Sequence, residues 1–207
     1  YTAAATACVL VAWGASRFLR SSHGLLLGAC GQNEALARSL GATVRTFRLR
    51  QETGWEPDWD EFERAVTPRT RLLYLSNPNN PTGSILSRAA MERIVSRCEE
   101  TGTWILADEV YLGAEIDGER TPSFWGMSDR VIVTSGLSKA YGIPGVRVGW
   151  MVGPQTVVAE CWSQHDYITI GPNKMSDRLA RIAVEPQNRE RCYARTRRCA
   201  APTSAAP

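Results

Sequence analysis

Short apolar runs alternate with amphipathic segments through the middle of the chain. The runs lie at residues 71–76, 103–107, 130–134 and 146–152, and the first three predict strands. Between the first two runs, four apolar residues recur at helical spacing: Met91, Ile94, Val95 and Cys98. Ser87 before this set and Gly102 after it are typical of helix caps. Near-continuous apolar strands that alternate with helices indicate an α/β, three-layer fold with a mainly parallel sheet.

The remaining pattern extends this fold toward both ends of the chain. Further helices are predicted at residues 32–40, 59–66, 156–163 and 174–184, and a strand is predicted at 44–49. The pattern is weakest over residues 1–31. We predict one large domain over residues 1–185, incomplete at both ends, since the chain starts at Tyr1 rather than Met. The Arg/Ala/Pro-rich tail, residues 186–207, is predicted to be irregular because its ending is of low complexity.

Polar residues follow three of the predicted strands at the point where each strand ends. Asn80, Asp108 and Lys139 are these residues, and Tyr111 follows Asp108 by about one helical turn. The carboxyl ends of parallel strands lie at one edge of the sheet, which is where open α/β sheets bind ligands. We therefore expect the four side chains to converge.

Lysine is scarce in this chain, which narrows the candidates for amine chemistry. Of the 24 lysines and arginines, only Lys139 and Lys174 are lysines, and arginine stays protonated. Lys139 stands among small and apolar residues, which predicts a desolvated, nucleophilic amine. Arg147 follows after a glycine-rich turn and has the forked donor geometry that suits a phosphate. A lysine amine and a phosphate anchor are the pair that pyridoxal phosphate (PLP) requires.

Composition and charge exclude several other classes of protein. The net charge of +3 is too small to argue for nucleic acid or a membrane surface. Residues 1–13 are apolar but lack a charged leader region and are too short to span a bilayer. The six cysteines and two histidines are scattered and make no metal-ligand pattern. Free buried thiols suit a reducing compartment, so we expect a cytoplasmic protein.

Three ordered motifs resemble one known family. They are Ser-Asn-Pro-Asn-Asn-Pro-Thr-Gly at 76–83, Asp-Glu-Val-Tyr at 108–111, and Ser-Lys at 138–139 with Gly142, Gly145, Arg147 and Gly149. Together, over about residues 41–184, they resemble the class I/II aminotransferases, which are fold-type I PLP-dependent enzymes. Residues 165–170 and 176–179 are similar to the subgroup related to capreomycidine synthase.

The resemblance implies a role for each motif residue near the cofactor ring. Lys139 would hold PLP as a Schiff base and then move a proton between the substrate and the cofactor. Asp108 would face the pyridine nitrogen and favour its protonated form. Asn80 and Tyr111 would donate hydrogen bonds to the phenolic oxygen of the ring.

The phosphate side is also implied by the resemblance, with departures from the family pattern. Arg147 would bind the phosphate, helped by Ser138 or Ser135. The family often has Ser or Thr three residues before the lysine, whereas this chain has Gly136. An aromatic residue that stacks on the ring would fall near Cys30, where none stands. The arginine that binds the substrate carboxylate belongs to a second, smaller domain that follows the matched region in the family.

The function implied is amino-group transfer between an amino acid and a 2-oxo acid, with PLP as cofactor and a homodimer as the assembly. Two alternatives stay open at this point. The same lysine, aspartate and asparagine serve PLP-dependent lyases, cyclases and decarboxylases. A truncated, catalytically inactive remnant of the fold is the third interpretation.

Overall fold

The computed structural model describes residues 43–116, 120–167 and 169–200. The helix predicted at 32–40 and the weakly patterned residues 1–31 lie outside these ranges, and so does Cys30. The strand predicted at 44–49 is reduced to a short antiparallel ribbon. Its two strands are β1 (Leu49–Arg50) and β2 (Glu56–Pro57).

A four-stranded sheet forms the centre of the described chain. Its strands are β3 (Leu72–Ser76), β4 (Trp104–Asp108), β5 (Val131–Gly136) and β6 (Gly149–Val152), in the order β3-β4-β5-β6. The first three are parallel, and β6 runs antiparallel to β5. The mainly parallel sheet expected from the apolar runs is therefore confirmed. The run at 146–152 becomes a strand only from Gly149, because residues 144–146 form a 3-10 turn.

Five helices are described. They are α1 (Trp59–Ala65), α2 (Arg88–Thr101), α3 (Gln155–His165), α4 (Lys174–Val184) and α5 (Pro186–Ala200). Three begin at side-chain caps: Asp58, Ser87 and Asn173 accept from the backbone N–H three residues on. α2 ends at Gly102 in the left-handed conformation. Of these helices, none is long and apolar enough to cross a bilayer.

The core lies on both faces of the sheet. On one face, α1 and α2 bury a cluster around Phe62, Met91 and Ile105. On the other face, Leu106 and Ile132 pack against Val157 of α3. Successive strand residues point to opposite faces, so the near-continuous apolar runs are explained by helices on both sides. The three-layer α/β architecture is confirmed.

The prediction of irregular structure from residue 186 onward is wrong for residues 186–200, which form α5. Arginine and alanine favour helix, and proline is well tolerated at the first helical position. Tyr193 is 5% exposed and packs into a second core cluster with Leu137 and Tyr141. The composition of this segment does not indicate that Tyr193 is buried, and it is this buried ring that packs α5 against the rest of the chain. Residues 201–207 lie outside the described chain.

Candidate active site at the carboxyl edge of the sheet

The carboxyl ends of three parallel strands bring the predicted segments together. Ser76 of β3 pairs in register with Asp108 of β4, which in turn pairs with Thr134 of β5. Three segments leave this edge: the Asn80 loop (residues 77–83), the Asp108 turn (residues 108–113) and the Lys139 loop (residues 137–143). The register therefore sets these segments side by side.

Asp108 is a half-buried carboxylate at the centre of this edge. Its Oδ1 accepts from the Val110 N–H at 3.1 Å, and its Oδ2 accepts from the Tyr74 hydroxyl at 3.5 Å. Burial raises the pKa of Asp108, and the hydrogen bonds from Val110 and Tyr74 oppose that rise. Burial disfavours the charged form of Asp108 more than these two hydrogen bonds favour it. A cationic group next to the carboxylate therefore interacts with it favourably.

Lys139 lies beside the Asp108 turn. Its Nζ is 5.7 Å from the centroid of the Tyr111 ring, within cation–π range. The backbone N–H of Ala140 donates to the Val110 carbonyl at 3.3 Å, which links the Lys139 loop to the Asp108 turn. The expected desolvation of Lys139 is wrong for this structure, since its side chain is exposed. The small residues around it do not cover the amine.

Arg147 contacts the Lys139 loop through its guanidinium. Its Nη1 donates to Ser138 Oγ at 3.5 Å and to the Pro144 carbonyl at 3.2 Å. Its backbone has a φ of 56°, an unusual conformation for a residue that is not glycine and one often found at functional sites. Ser135 instead donates to the Glu109 carbonyl at 3.3 Å. Of the two predicted serines, Ser138 is therefore the one next to the guanidinium.

The Asn80 loop contains three asparagines with different surroundings. Asn77 is fully buried, and its Oδ1 accepts from the Leu86 N–H at 3.0 Å. Asn79 bridges Ser76 and Thr82 through its side-chain amide. Asn80 has its backbone N–H held by Ser76 Oγ at 3.1 Å, while its side chain is exposed at the edge. The loop geometry is thus supported by its neighbours, and Asn80 faces outward.

Glu109 is a buried residue that the sequence analysis did not assign to any role. It is 4% exposed, and its carboxylate accepts from the Phe124 N–H at 2.7 Å and from the Ser123 hydroxyl at 2.8 Å. Burial raises the pKa of Glu109, and these hydrogen bonds oppose the rise. The available signal in the sequence was the position of Glu109 directly after Asp108. Consecutive residues at a strand end point to opposite sides, so the two carboxylates have different surroundings. Glu109 therefore connects the Asp108 turn to Ser123 and Phe124 on its buried side.

We expect Glu109→Ala to destabilise the protein by about 1–3 kcal/mol, because the buried N–H of Phe124 loses its acceptor. Glu109→Gln keeps an acceptor oxygen there and is expected to be much milder. Urea unfolding of the two variants measures the difference. Equal stability of Glu109→Ala and the wild-type chain would contradict the role assigned to the carboxylate.

Gly136 is explained by the close approach of β5 and β6. A Cβ at this position would lie 3.2 Å from the Val148 carbonyl oxygen and 3.3 Å from the Cα of Gly149. Both contacts are to backbone, which adjusts less readily than the end of a side chain. The hydroxyl-bearing residue that the family often has here would therefore be crowded in this chain.

Restoring that hydroxyl by Gly136→Ser is expected to destabilise the chain by about 1–3 kcal/mol through overpacking. A thermal melt of this variant, compared with Gly145→Ser as a control in open space, tests the point. A Gly136→Ser protein as stable as its control would show that β6 moves to accept the side chain.

A mainly parallel sheet with helices on both faces is the architecture of the fold-type I PLP-dependent transferases, and this chain shares it. The family described as aminotransferase class I and II matches residues 32–199. The chain belongs to this family, which implies PLP as its cofactor, and the resemblance seen in the motifs is confirmed.

Curated relatives agree with this family. The chain is 34% identical over 150 residues to capreomycidine synthase from Streptomyces vinaceus. This match covers 72% of this chain and 39% of that protein. It is 38% identical over 128 residues to arginine–pyruvate transaminase from Pseudomonas aeruginosa, covering 61% of this chain and 33% of the relative. The chain thus spans less than half the length of these relatives.

Solved structures share the fold. A PLP-dependent aminotransferase from Streptococcus suis superposes with a TM-score of 0.71 and 31% identity, covering 77% of this chain and 42% of that one. Aspartate aminotransferase from Thermus thermophilus with maleate gives a TM-score of 0.73 and 26% identity, covering 81% of this chain and 44% of that one.

Proposed function

We propose that this chain provides the PLP-binding part of an aminotransferase, which transfers an amino group between an amino acid and a 2-oxo acid. The observation that carries the proposal is the arrangement of Asp108, Lys139 and Arg147 on adjoining segments at one edge of the sheet. The amine of Lys139 matches the aldehyde of PLP, the carboxylate of Asp108 its pyridine nitrogen, and the guanidinium of Arg147 its phosphate. Membership of the family supports the same cofactor. Because the chain spans under half of its relatives, the activity of the whole protein is part of the proposal.

The amine of Lys139 is the reactive group of the site. When bound, PLP supplies an aldehyde that condenses with a primary amine, with loss of water, and a ring that accepts the electron pair of a broken bond at the substrate Cα. Lys139 Nζ would hold the cofactor, and as a free amine it would accept the proton from the substrate Cα and deliver it to the cofactor carbon. Exposure of Lys139 at the edge leaves its amine accessible to the incoming carbonyl.

Asp108 and its neighbours orient and polarise the bound ring. The carboxylate of Asp108 stabilises a protonated pyridine nitrogen, and a cation there favours the charged carboxylate, which offsets the rise in its pKa caused by burial. Tyr111 and Asn80 act as hydrogen-bond donors to the phenolic oxygen. These roles use side chains on the two segments that follow β3 and β4.

Arg147 and Ser138 bind the phosphate in this proposal. The guanidinium supplies charge and two parallel donors, and the hydroxyl next to it adds a third. Ser135 has a smaller part, because its hydroxyl donates to the Glu109 carbonyl. The backbone at Arg147 is left-handed, and its guanidinium lies next to Ser138 of the Lys139 loop.

A second reaction on the same residues is supported by one comparison. Capreomycidine synthase, at 34% identity, is not named as a transaminase. A PLP-dependent lyase, cyclase or decarboxylase is therefore the alternative to amino-group transfer. All of these reactions would use the amine of Lys139 to hold PLP and the carboxylate of Asp108 to stabilise the protonated ring, and they differ in the bond that is broken at the substrate Cα.

The proposed partners and location follow from the same family. An amino acid and a 2-oxo acid are the substrates, and a homodimer is the proposed assembly. Cys98 is a free, buried thiol whose pKa is raised by burial to about 12, so it stays protonated and unreactive. Such a thiol is in keeping with a cytoplasmic protein, and gel filtration with light scattering tests the dimer.

The experiment that tests the function follows the visible spectrum of the purified chain with PLP. We expect absorbance of lysine-bound PLP, and then, on addition of an amino acid, conversion to pyridoxamine phosphate with release of an equimolar 2-oxo acid. Release of another product with PLP regenerated supports the lyase or cyclase alternative. A chain that binds PLP and gives no response to a panel of amino acids contradicts the proposed activity.

A further inference from the structure

Helix α5 contacts both segments that carry the proposed chemistry. Tyr193 is buried, and its ring lies 5.0 Å from the Tyr141 ring at an interplanar angle of 69°. On its other side the Tyr193 ring is pressed against Gly113 at the end of the Asp108 turn. A Cβ at Gly113 would overlap Tyr193 Cε2, so only glycine leaves room for this ring. Tyr193 thus fills the space between the Asp108 turn and the Lys139 loop.

Arg195 holds the Lys139 loop by its backbone. Its Nη2 donates to the Tyr141 carbonyl at 3.0 Å and to the Gly142 carbonyl at 3.1 Å. These carbonyls belong to the second and third residues after Lys139. Thr196 also lies against the loop, since a Cβ at Gly142 would be 2.8 Å from its Oγ1. Hydrogen bonds from a charged donor are about twice as strong as neutral ones, so this contact restrains the loop.

A pair of charged residues borders the Tyr193 ring and adds a contact to α5. The Arg120 guanidinium carbon lies 5.3 Å from the centroid of the Tyr193 ring, and Arg120 Nη1 is 3.9 Å from Glu190 Oε1. Tyr141 is buried beneath, and burial raises its pKa, with Tyr193 adding to the rise. The contact between Tyr141 and Tyr193 is therefore buried, and the Arg120–Glu190 pair borders it.

We infer that α5 is a positioning element for the site: Tyr193 spaces the Asp108 turn from the Lys139 loop, and Arg195 fixes the loop that carries the reactive amine. Neither residue touches the reacting atoms. Both act through backbone that lies next to Asp108 and Lys139. The inference deepens the proposed function and rests on it only for the consequence to PLP chemistry, since the restraint itself is a property of the chain.

Amide hydrogen exchange in the chain without PLP tests the restraint. The N–H groups of Gly142 and Ile143 donate within the Lys139 loop, to the carbonyls of Lys139 at 2.9 Å and Leu137 at 3.0 Å, and report its opening. We expect Arg195→Met, which keeps the stem but removes the donors of both hydrogen bonds, to speed exchange at both amides by roughly threefold to tenfold or more, since the net contribution of a single hydrogen bond already corresponds to that factor.

Two further variants control this measurement. Arg198→Met changes an exposed arginine of the same helix and is expected to leave both amides at the wild-type rate. Arg195→Lys restores a charged donor and is expected to recover part of the protection. Unchanged exchange in Arg195→Met, or an equal increase in Arg198→Met, overturns the inference. Should Arg195→Met not fold, Arg195→Gln, whose shorter amide cannot replace the charged fork, is judged by the same amides and the same outcomes.

A second readout connects the loop to the cofactor. With PLP bound, we expect the pH at which the visible absorbance changes to shift by about 0.5 unit or more in Arg195→Met, and not in Arg198→Met. A wild-type chain that takes up no PLP sinks the proposed function but leaves the exchange result valid. A wild-type chain that binds PLP, together with an Arg195→Met titration identical to it, overturns the positioning role alone.

Discussion

Lys139→Ala is expected to abolish the visible absorbance of bound PLP and the covalent label that borohydride reduction leaves on the chain. The reason is chemical: a Schiff base needs a primary amine, and Lys139 and Lys174 are the two lysines in the sequence. Amino-group transfer should fall by about 10²–10⁴-fold or more, since the same amine also moves the proton at Cα. Mass spectrometry of the reduced, digested protein identifies the labelled peptide.

Lys174 provides the matched control for this experiment. It is the first residue of α4 and is exposed, like Lys139. We expect Lys174→Ala to keep the wild-type spectrum. Lys139→Arg separates charge from nucleophilicity, because it keeps a cation near Tyr111 but stays protonated. Equal labelling of both lysines in the wild-type chain, or a label that persists in Lys139→Ala, would refute the assignment of the reactive amine.

Asp108→Asn is expected to slow amino-group transfer by about 10²–10³-fold while PLP still binds, because a neutral amide no longer stabilises a protonated ring nitrogen. Stopped-flow measurement of the conversion to pyridoxamine phosphate gives this rate. Asp129→Asn replaces an exposed aspartate just before β5 and serves as the control. A rate for Asp108→Asn within a fewfold of wild type would show that the carboxylate does not face the ring nitrogen.

The same substitution is expected to stabilise the chain without PLP at neutral pH. Burial raises the pKa of Asp108 above its unfolded value. The stability that this group contributes is therefore complete below the unfolded pKa and is lost as the pH rises through the folded pKa. Asparagine does not ionise, so the advantage of Asp108→Asn should be largest near pH 7 and shrink toward the usual aspartate pKa of about 3.9. Thermal melts across this range measure it, and a pH-independent difference would contradict the burial effect.

Local signals in the sequence were sufficient for most of the helices. The side-chain cap at Ser87, the apolar spacing that follows it and the glycine at position 102 predicted α2, which spans Arg88–Thr101. The helix predicted at 174–184 has the bounds of α4. These features are determined by neighbours three or four residues apart, so a single sequence contains the information.

The conformation of the site depended on contacts that a local pattern does not contain. The choice between Ser138 and Ser135 was open until the structure showed one hydroxyl beside Arg147 and the other on the Glu109 carbonyl. The small and apolar neighbours of Lys139 in the sequence predicted a desolvated amine, whereas the residue is exposed. The contact of Ser135 with Glu109 joins residues 26 apart along the chain, which the parallel register of β4 and β5 brings close.

What the sequence determined by itself is the chemistry at the edge of the sheet: a lysine, an aspartate, an asparagine and an arginine, each following an apolar run or a turn in a fixed order. What only the tertiary structure decided is how these groups are held. The arginine-rich segment after Pro186 looked unstructured by composition, yet as α5 it buries Tyr193 against Tyr141 and donates from Arg195 to the loop of Lys139. Those partners are separated by more than 50 residues. Only folding reveals such contacts, because the energy that selects them comes from burial and backbone hydrogen bonds across the chain rather than from the propensity of the segment itself.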